Sequence, residues 1–154
     1  STERPDRSNA VFAGARLQRA RMQGANLMRA RLEGAKLSYT RIEGAYLSGV
    51  LMEGAKLEKA RMEGAFLADA RMEGADLAEV RMEGAALWLA RMGGANLSNA
   101  QMEAATLWFA RMEGTDLKHA RMEGADVKNA RMEGAMVGLP LAMPGKAASR
   151  SNVS

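Results

Sequence analysis

Side chains able to do chemistry are few and scattered along this chain. His119 is the single histidine and stands beside Lys118 and Arg121. Catalysis through it would need a nucleophile or an acid–base partner held next to it, and the local sequence supplies none. Cysteine is absent, which removes thiol nucleophiles, disulfides and thiolate metal sites. Asp76, Asp116 and Asp126 lack metal-binding spacing, and the glycines read as turn glycines, not as a phosphate loop. Ten methionines recur periodically. Thioethers are soft-metal ligands, but unbranched thioethers with no histidine or cysteine beside them read as core filler. No catalytic, cofactor-binding or metal-ligating residue is therefore assigned, and the chain reads as a non-enzyme.

The periodicity itself is the stronger signal. Every fifth residue from Phe12 to Val137 is apolar, and the residue two before it is almost always alanine, as in Ala15–Leu17, Ala20–Met22 and Ala25–Leu27. The run from Ala10 to Leu139 holds 26 five-residue units without an insertion. A helix advances about 100° per residue, so a step of five smears apolar residues around its circumference. A continuous strand fails as well, because five is odd and successive apolar residues would point to opposite sides. A short extended piece followed by a two-residue corner satisfies the pattern. In Ala60-Arg61-Met62, alternation sends Ala60 and Met62 inward and Arg61 outward, and Glu63-Gly64 then turns the chain. Glycine fills the last corner position at Gly14, Gly24, Gly34 and onward to Gly134, with Ala104 as the exception, as expected where φ must be positive. The alternate corners end in residues such as Arg19, Tyr39, Leu89, Phe109 or Asn129, which predicts a second turn type and a true repeat of ten.

Units such as Ala25-Asn26-Leu27, Ala75-Asp76-Leu77 and Ala95-Asn96-Leu97-Ser98-Asn99 resemble the pentapeptide-repeat family, whose motif is A-[D/N]-L-x-x. The resemblance covers residues 10–139. It implies an all-β fold, a right-handed quadrilateral parallel β-helix or solenoid with four units per 20-residue coil. About six and a half coils would make a rod roughly 30 Å long at ~4.8 Å per coil. The departure from the motif is arginine at the second position of alternate units.

Stacking residues twenty apart then gives four walls. Two opposite interiors are methionine-rich: Phe12, Leu32, Met52, Met72, Met92, Met112, Met132 on one, and Met22, Ile42, Met62, Met82, Met102, Met122 on the other. Outside them run balanced ladders, such as Arg61 and Arg81 beside Glu63 and Glu83. The remaining two interiors are almost all leucine. The net charge of +4 is thereby spread out, with only the first coil locally basic, and no single-sign nucleic-acid footprint emerges. One leucine wall carries Arg16, Lys36, Lys56, Asp76, Asn96 and Asp116 outside. The other is aromatic: Tyr46, Phe66, Trp88, Leu89, Trp108 and Phe109 project outward, with Trp88 expected to stack on Trp108. Exposed apolar patches mark contact sites and tryptophan is enriched in binding hot spots, while cross-strand ladders can also simply stabilise a sheet.

Residues 1–9 read as a flexible N-terminal tail, 10–139 as the β-helix, and 140–154 as a C-terminal cap and disordered tail. In that last segment Pro140 and Pro144 break the pattern while Leu139, Leu141 and Met143 offer a lid. No apolar run approaches a membrane span and no leader opens the chain, although it begins at Ser1 and an upstream segment is compatible with that. The expectation is a cytoplasmic, non-enzymatic scaffold that binds a protein partner, or a second copy through the aromatic wall or the coil ends. Nucleic acid is not an expected partner. The family resemblance also implies an alternative, since some members bind type II topoisomerases such as DNA gyrase as duplex-DNA mimics and confer resistance. Those rods are strongly acidic, whereas this chain is basic.

Overall fold

Backbone hydrogen bonds in the computed structural model, which describes residues 5–138, link positions about twenty residues apart. Parallel bridges join Val11 to Arg31, Arg16 to Lys36, Arg21 to Arg41 and Asn26 to Tyr46, and each ladder continues at the same interval down to Asp116–Met136. The chain is a parallel β-helix in which each strand has shrunk to a single bridging residue.

One unit shows how the backbone is satisfied. Ala35 N–H donates to Leu32 O at 3.0 Å and closes the corner; Lys36 N–H donates up to Ala15 O at 2.9 Å. Leu37 and Tyr39 N–H donate down to Lys56 O and Glu58 O at 2.7 and 3.0 Å. Four of five donors are thus consumed within the stack, as a narrow coil requires. The fifth, on the first corner residue, explains the preference for Asp or Asn at the bridging position. Oδ1 of Asp76, Asn96, Asp116 and Asp126 accepts from the N–H two residues on, at 3.0–3.2 Å. Where arginine takes that position, this cap is given up.

The interior is the alanine column and its apolar neighbour two residues on. Leu37, Met52, Leu57, Met62, Leu77 and Met82 are fully buried, and so are Ala35, Val50, Ala55, Ala60, Ala75 and Val80 beside them. Thr40 and Thr115 replace two of these alanines without an orphaned hydroxyl, because Oγ1 donates to Leu37 O at 2.7 Å and Met112 O at 2.9 Å. Phe12, Leu17 and Val137 are partly buried against the same core.

Two expectations need correction. The corners are not of two kinds, since φ is positive at the last corner residue throughout. It is +64° at Gly64 and +66° at Gly74, but also +62° at Arg19, +62° at Tyr39, +62° at Leu89 and +55° at Phe109. In both sets the N–H of that residue donates to the next coil, as in Gly64 to Glu83 O at 3.0 Å and Leu89 to Trp108 O at 2.8 Å. The stacking bond fixes the conformation whichever residue is present. The tail boundary also moves. Within the expected 1–9 tail, Pro5–Asn9 forms a further unit: Asp6 bridges Asn26, Arg7 N–H reaches Asn26 O at 2.8 Å, and Asn9 has φ +59°. Arg7 occupies the apolar position, so the hydrophobic beat could not reveal it. The expected lid at Leu139, Leu141 and Met143 lies outside the described residues.

An added Cβ at Gly64 meets nothing within 4 Å, so Gly64→Ala isolates the conformational cost. We expect a loss of about 1 kcal/mol, and Ala104→Gly, at φ +59°, should gain about 0.5–1 kcal/mol in denaturant melts. Arg7→Leu should add about 1 kcal/mol by placing an apolar side chain above Leu27. An unchanged or lower melting midpoint would contradict the assignment of Pro5–Asn9 as a repeat unit.

Candidate interaction surface

Because side chains alternate inward and outward along each unit, every wall presents three outer columns: the bridging residue and the two corner residues. On the aromatic wall these columns hold Tyr46 and Phe66, then Trp88 and Trp108, then Leu89 and Phe109. The six side chains are between 37 and 54% exposed, whereas the leucines behind them are fully buried. Tyr46 and Phe66 stack face to face, with centroids 5.1 Å apart and planes 5° from parallel. The bridge between their backbones sets that separation. Trp88 and Trp108 occupy equivalent places on successive coils, but the expected stack between them is absent among the described residues. They stand on corners, which Leu89 N–H and Trp108 O link at 2.8 Å, yet the two rings do not stack. Leu89 and Phe109 hold left-handed backbone conformations, which are unfavourable for bulky residues. Their side chains therefore sit exposed on strained corners.

The two methionine walls are covered differently. Arg41 Nε lies 3.1 Å from Glu43 Oε1, and Arg61 Nε lies 3.3 Å from both Glu43 Oε1 and Glu63 Oε1. Arg81 continues the chain at 3.2 Å from Glu63. On the opposite wall Arg71–Glu53 and Arg91–Glu73 close at 2.9 and 2.7 Å. From Arg31 onward each arginine of these ladders thus serves the glutamate of its own unit, that of the coil above, or both, whereas Arg21, with Gln23 in its unit, makes no ion pair among the described residues. The second carboxylate oxygen of Glu43, Glu53, Glu63 and Glu73 is buried without a hydrogen-bond partner, which subtracts from an already small surface-pair gain. These walls are electrically closed and mainly solubilising.

A feature that sequence reading passed over lies on the remaining wall. Tyr39 is flanked along its corner column by Arg19 and Lys59, whose cationic groups stand 5.6 and 5.7 Å from the ring centroid. The twenty-residue spacing of these three residues was the available signal. His119 stands on an exposed corner. Among the described residues no group of three or more His, Asp or Glu is placed to hold a metal ion, and no helix is long and apolar enough to cross a membrane.

Comparison with known proteins agrees with this architecture. The family model described as pentapeptide repeats matches in eight copies, over residues 8–41, 55–94 and 95–134. No curated protein matches significantly. Among solved structures, HetL, a pentapeptide repeat protein involved in heterocyst differentiation regulation from the cyanobacterium Nostoc sp. strain PCC 7120, is 23% identical. The match covers 86% of this chain and 80% of HetL with a TM-score of 0.51, a likeness of fold. A pentapeptide repeat protein of the Arabidopsis thaliana thylakoid lumen is also 23% identical, over 67% of this chain and 68% of that one, with a TM-score of 0.46. QnrB1, a plasmid-mediated fluoroquinolone resistance protein, is 18% identical over 87% and 84%, with a TM-score of 0.31. From the matched repeats and the bridges at intervals of twenty residues, this chain is a member of the pentapeptide-repeat family.

Proposed function

We propose that this protein is a non-enzymatic scaffold that binds another protein through the wall of Tyr46, Phe66, Trp88, Leu89, Trp108 and Phe109. The scaffold is read as a right-handed, four-sided rod of about six and a half coils over residues 10–139, counted at ~20 residues per turn, with Pro5–Asn9 added above. Residues 140–154 are read as its cap and tail. Pentapeptide-repeat proteins are in general structural and interaction proteins, and a cysteine-free chain suits a reducing compartment such as the cytoplasm.

The observation that carries the reading is the concentration of large apolar side chains on one outer face. Both tryptophans and two of the three phenylalanines lie there, half-exposed, while the leucines and methionines of the interior columns are buried. Removing such groups from water is worth about 25 cal/mol per Å² of apolar surface buried, and aromatic anchors of this kind dominate binding energies. The gyrase-binding alternative draws no support from the surface. A DNA mimic needs an acidic face, whereas here the arginine and glutamate ladders cancel and the net charge is +4.

The test is partner capture from the native host by the full chain and by the Trp88→Ala/Trp108→Ala variant. A specific partner retained by the native chain and weakened about tenfold or more by the double substitution is expected. Both side chains are half-exposed, so the variant should keep its melting temperature within a few degrees. Equal capture by the two proteins would remove the aromatic wall as the binding surface.

A further inference from the structure

The wall opposite the aromatic one carries charge in an order that no other column shares. Its bridging residues, from the N-terminal coil downward, are Arg16, Lys36, Lys56, Asp76, Asn96 and Asp116, each bridged to the next, with the apolar Met136 ending the column. Three cations thus stand one coil apart, about 4.8 Å, followed by two carboxylates and an amide. Among the described residues Arg16, Lys36, Lys56 and Asp116 make no ion pair, although on the methionine walls every arginine from Arg31 onward is paired with a glutamate. Like charges directly opposite on neighbouring strands destabilise a sheet, so this column carries a cost that the rest of the molecule avoids. Of the two corner columns beside it, one runs the same way, with Arg19 and Lys59 above Glu79 and Lys59 paired to Glu79 at 3.7 Å, and the other runs the opposite way, with Glu58 above Lys118.

The order is complementary to its own reverse. A two-fold axis through the wall between Lys56 and Asp76 places Lys56 opposite Asp76 of the partner subunit, Lys36 opposite Asn96 of the partner subunit, and Arg16 opposite Asp116 of the partner subunit. Each of these six bridging positions then meets a suitable group, and each pairing occurs twice. The carboxylates are oriented for it. Asp76 Oδ1 accepts from Asn96 Nδ2 at 3.1 Å and Ala78 N–H at 3.2 Å, while Asp116 Oδ1 accepts from Lys118 N–H at 3.0 Å. In each case Oδ2 is left for a partner. From this we infer that the wall is a self-association surface on which two copies of this chain pair side by side and antiparallel.

The wall is roughly 30 Å by 10 Å, or ~300 Å² per copy, well below the ~800 Å² per partner of a tight complex. The pair is accordingly weak, held by exposed charges, and dissolved by salt. It uses the face opposite the aromatic wall, so it stands independently of the proposed partner binding.

Arg16 and Asp116 lie five coils apart within one chain, ~24 Å, too far to interact directly. Coupling between them is therefore intermolecular, and sedimentation equilibrium of the full chain up to ~1 mM reads it. A dimer is expected at ~50 mM salt, weakened about tenfold or more at ~0.5 M. Arg16→Glu should weaken it about tenfold or more, since by symmetry the change acts twice. Arg16→Glu/Asp116→Arg should restore it to within about threefold. Asp116→Asn, which keeps the cap on Lys118 N–H, gives a milder weakening and guards against misfolding, with thermal melts confirming each fold. A chain monomeric at low salt overturns the inference, whether or not its basic half binds a polyanion. So does a double variant that fails to re-dimerise. A dimer abolished by Trp88→Ala/Trp108→Ala but indifferent to Arg16→Glu would assign self-association to the aromatic wall instead.

Discussion

A left-handed residue at every fifth position is the constraint on which the rest of this structure depends. Its positive φ turns the chain and sets its N–H along the rod, where it meets a carbonyl of the next coil, as Tyr39 meets Glu58 at 3.0 Å. Only with the corners so stacked can the bridging residues fall in register and the residues beside them face inward. Glycine adopts this conformation freely. Arg19, Tyr39, Leu89 or Phe109 does so at a cost of about 1–2 kcal/mol each. The stack tolerates such residues because each corner is held by bonds to its neighbours and cannot relax alone.

Interior composition follows from the same geometry. A coil that turns every five residues leaves little space at its centre, so the residue after each corner must be small. Alanine fits, Val50 and Val80 are tolerated, and Thr40 and Thr115 enter by donating their hydroxyls to the carbonyls of Leu37 and Met112, the inward residues before the corner. The longer side chain two positions on fills what remains. Methionine suits this because its unbranched chain adapts to the space offered, and leucine lines the two walls whose exteriors vary. The arginine and glutamate ladders outside the methionine walls add little stability individually, particularly with one carboxylate oxygen buried and unpaired. Their effect is to keep two faces of a long repeat neutral and soluble.

Much of this was legible in the sequence, because burial in a repeat fold depends on spacing alone. The alternation of Ala60, Arg61 and Met62 already assigns two inward residues and one outward. What stayed hidden depended on neighbours twenty residues away. Pro5–Asn9 is a repeat unit because Arg7 and Asn9 donate to Asn26 and Met28, while Arg7 erases the apolar beat. The shared corner conformation was masked by side chains with no preference for it, since tertiary hydrogen bonds override local propensity. Of the aromatic wall, composition and position were readable, but the ring geometry was not. A bridge accompanies the stack of Tyr46 on Phe66, whereas Trp88 and Trp108, at corners, have no such ring contact.

The four walls therefore divide by how each disposes of surface that water or charge would penalise. Two close on themselves, arginine against glutamate, within a unit and between coils. The other two are left open in different ways, one with half-exposed aromatic side chains and one with three cations above two carboxylates. Neither defect is imposed by the fold, because the same corners accommodate Ala78, Ser98 and Asn99 and the same bridges accommodate Ala86 and Thr106. In a repeat so regular, each departure costs stability that the consensus unit would have kept. Two uncompensated departures on opposite sides of one rod favour a molecule that uses both sides at once. An antiparallel pair formed through the charged wall would turn both aromatic walls outward, with the Trp88 and Trp108 clusters displaced toward opposite ends.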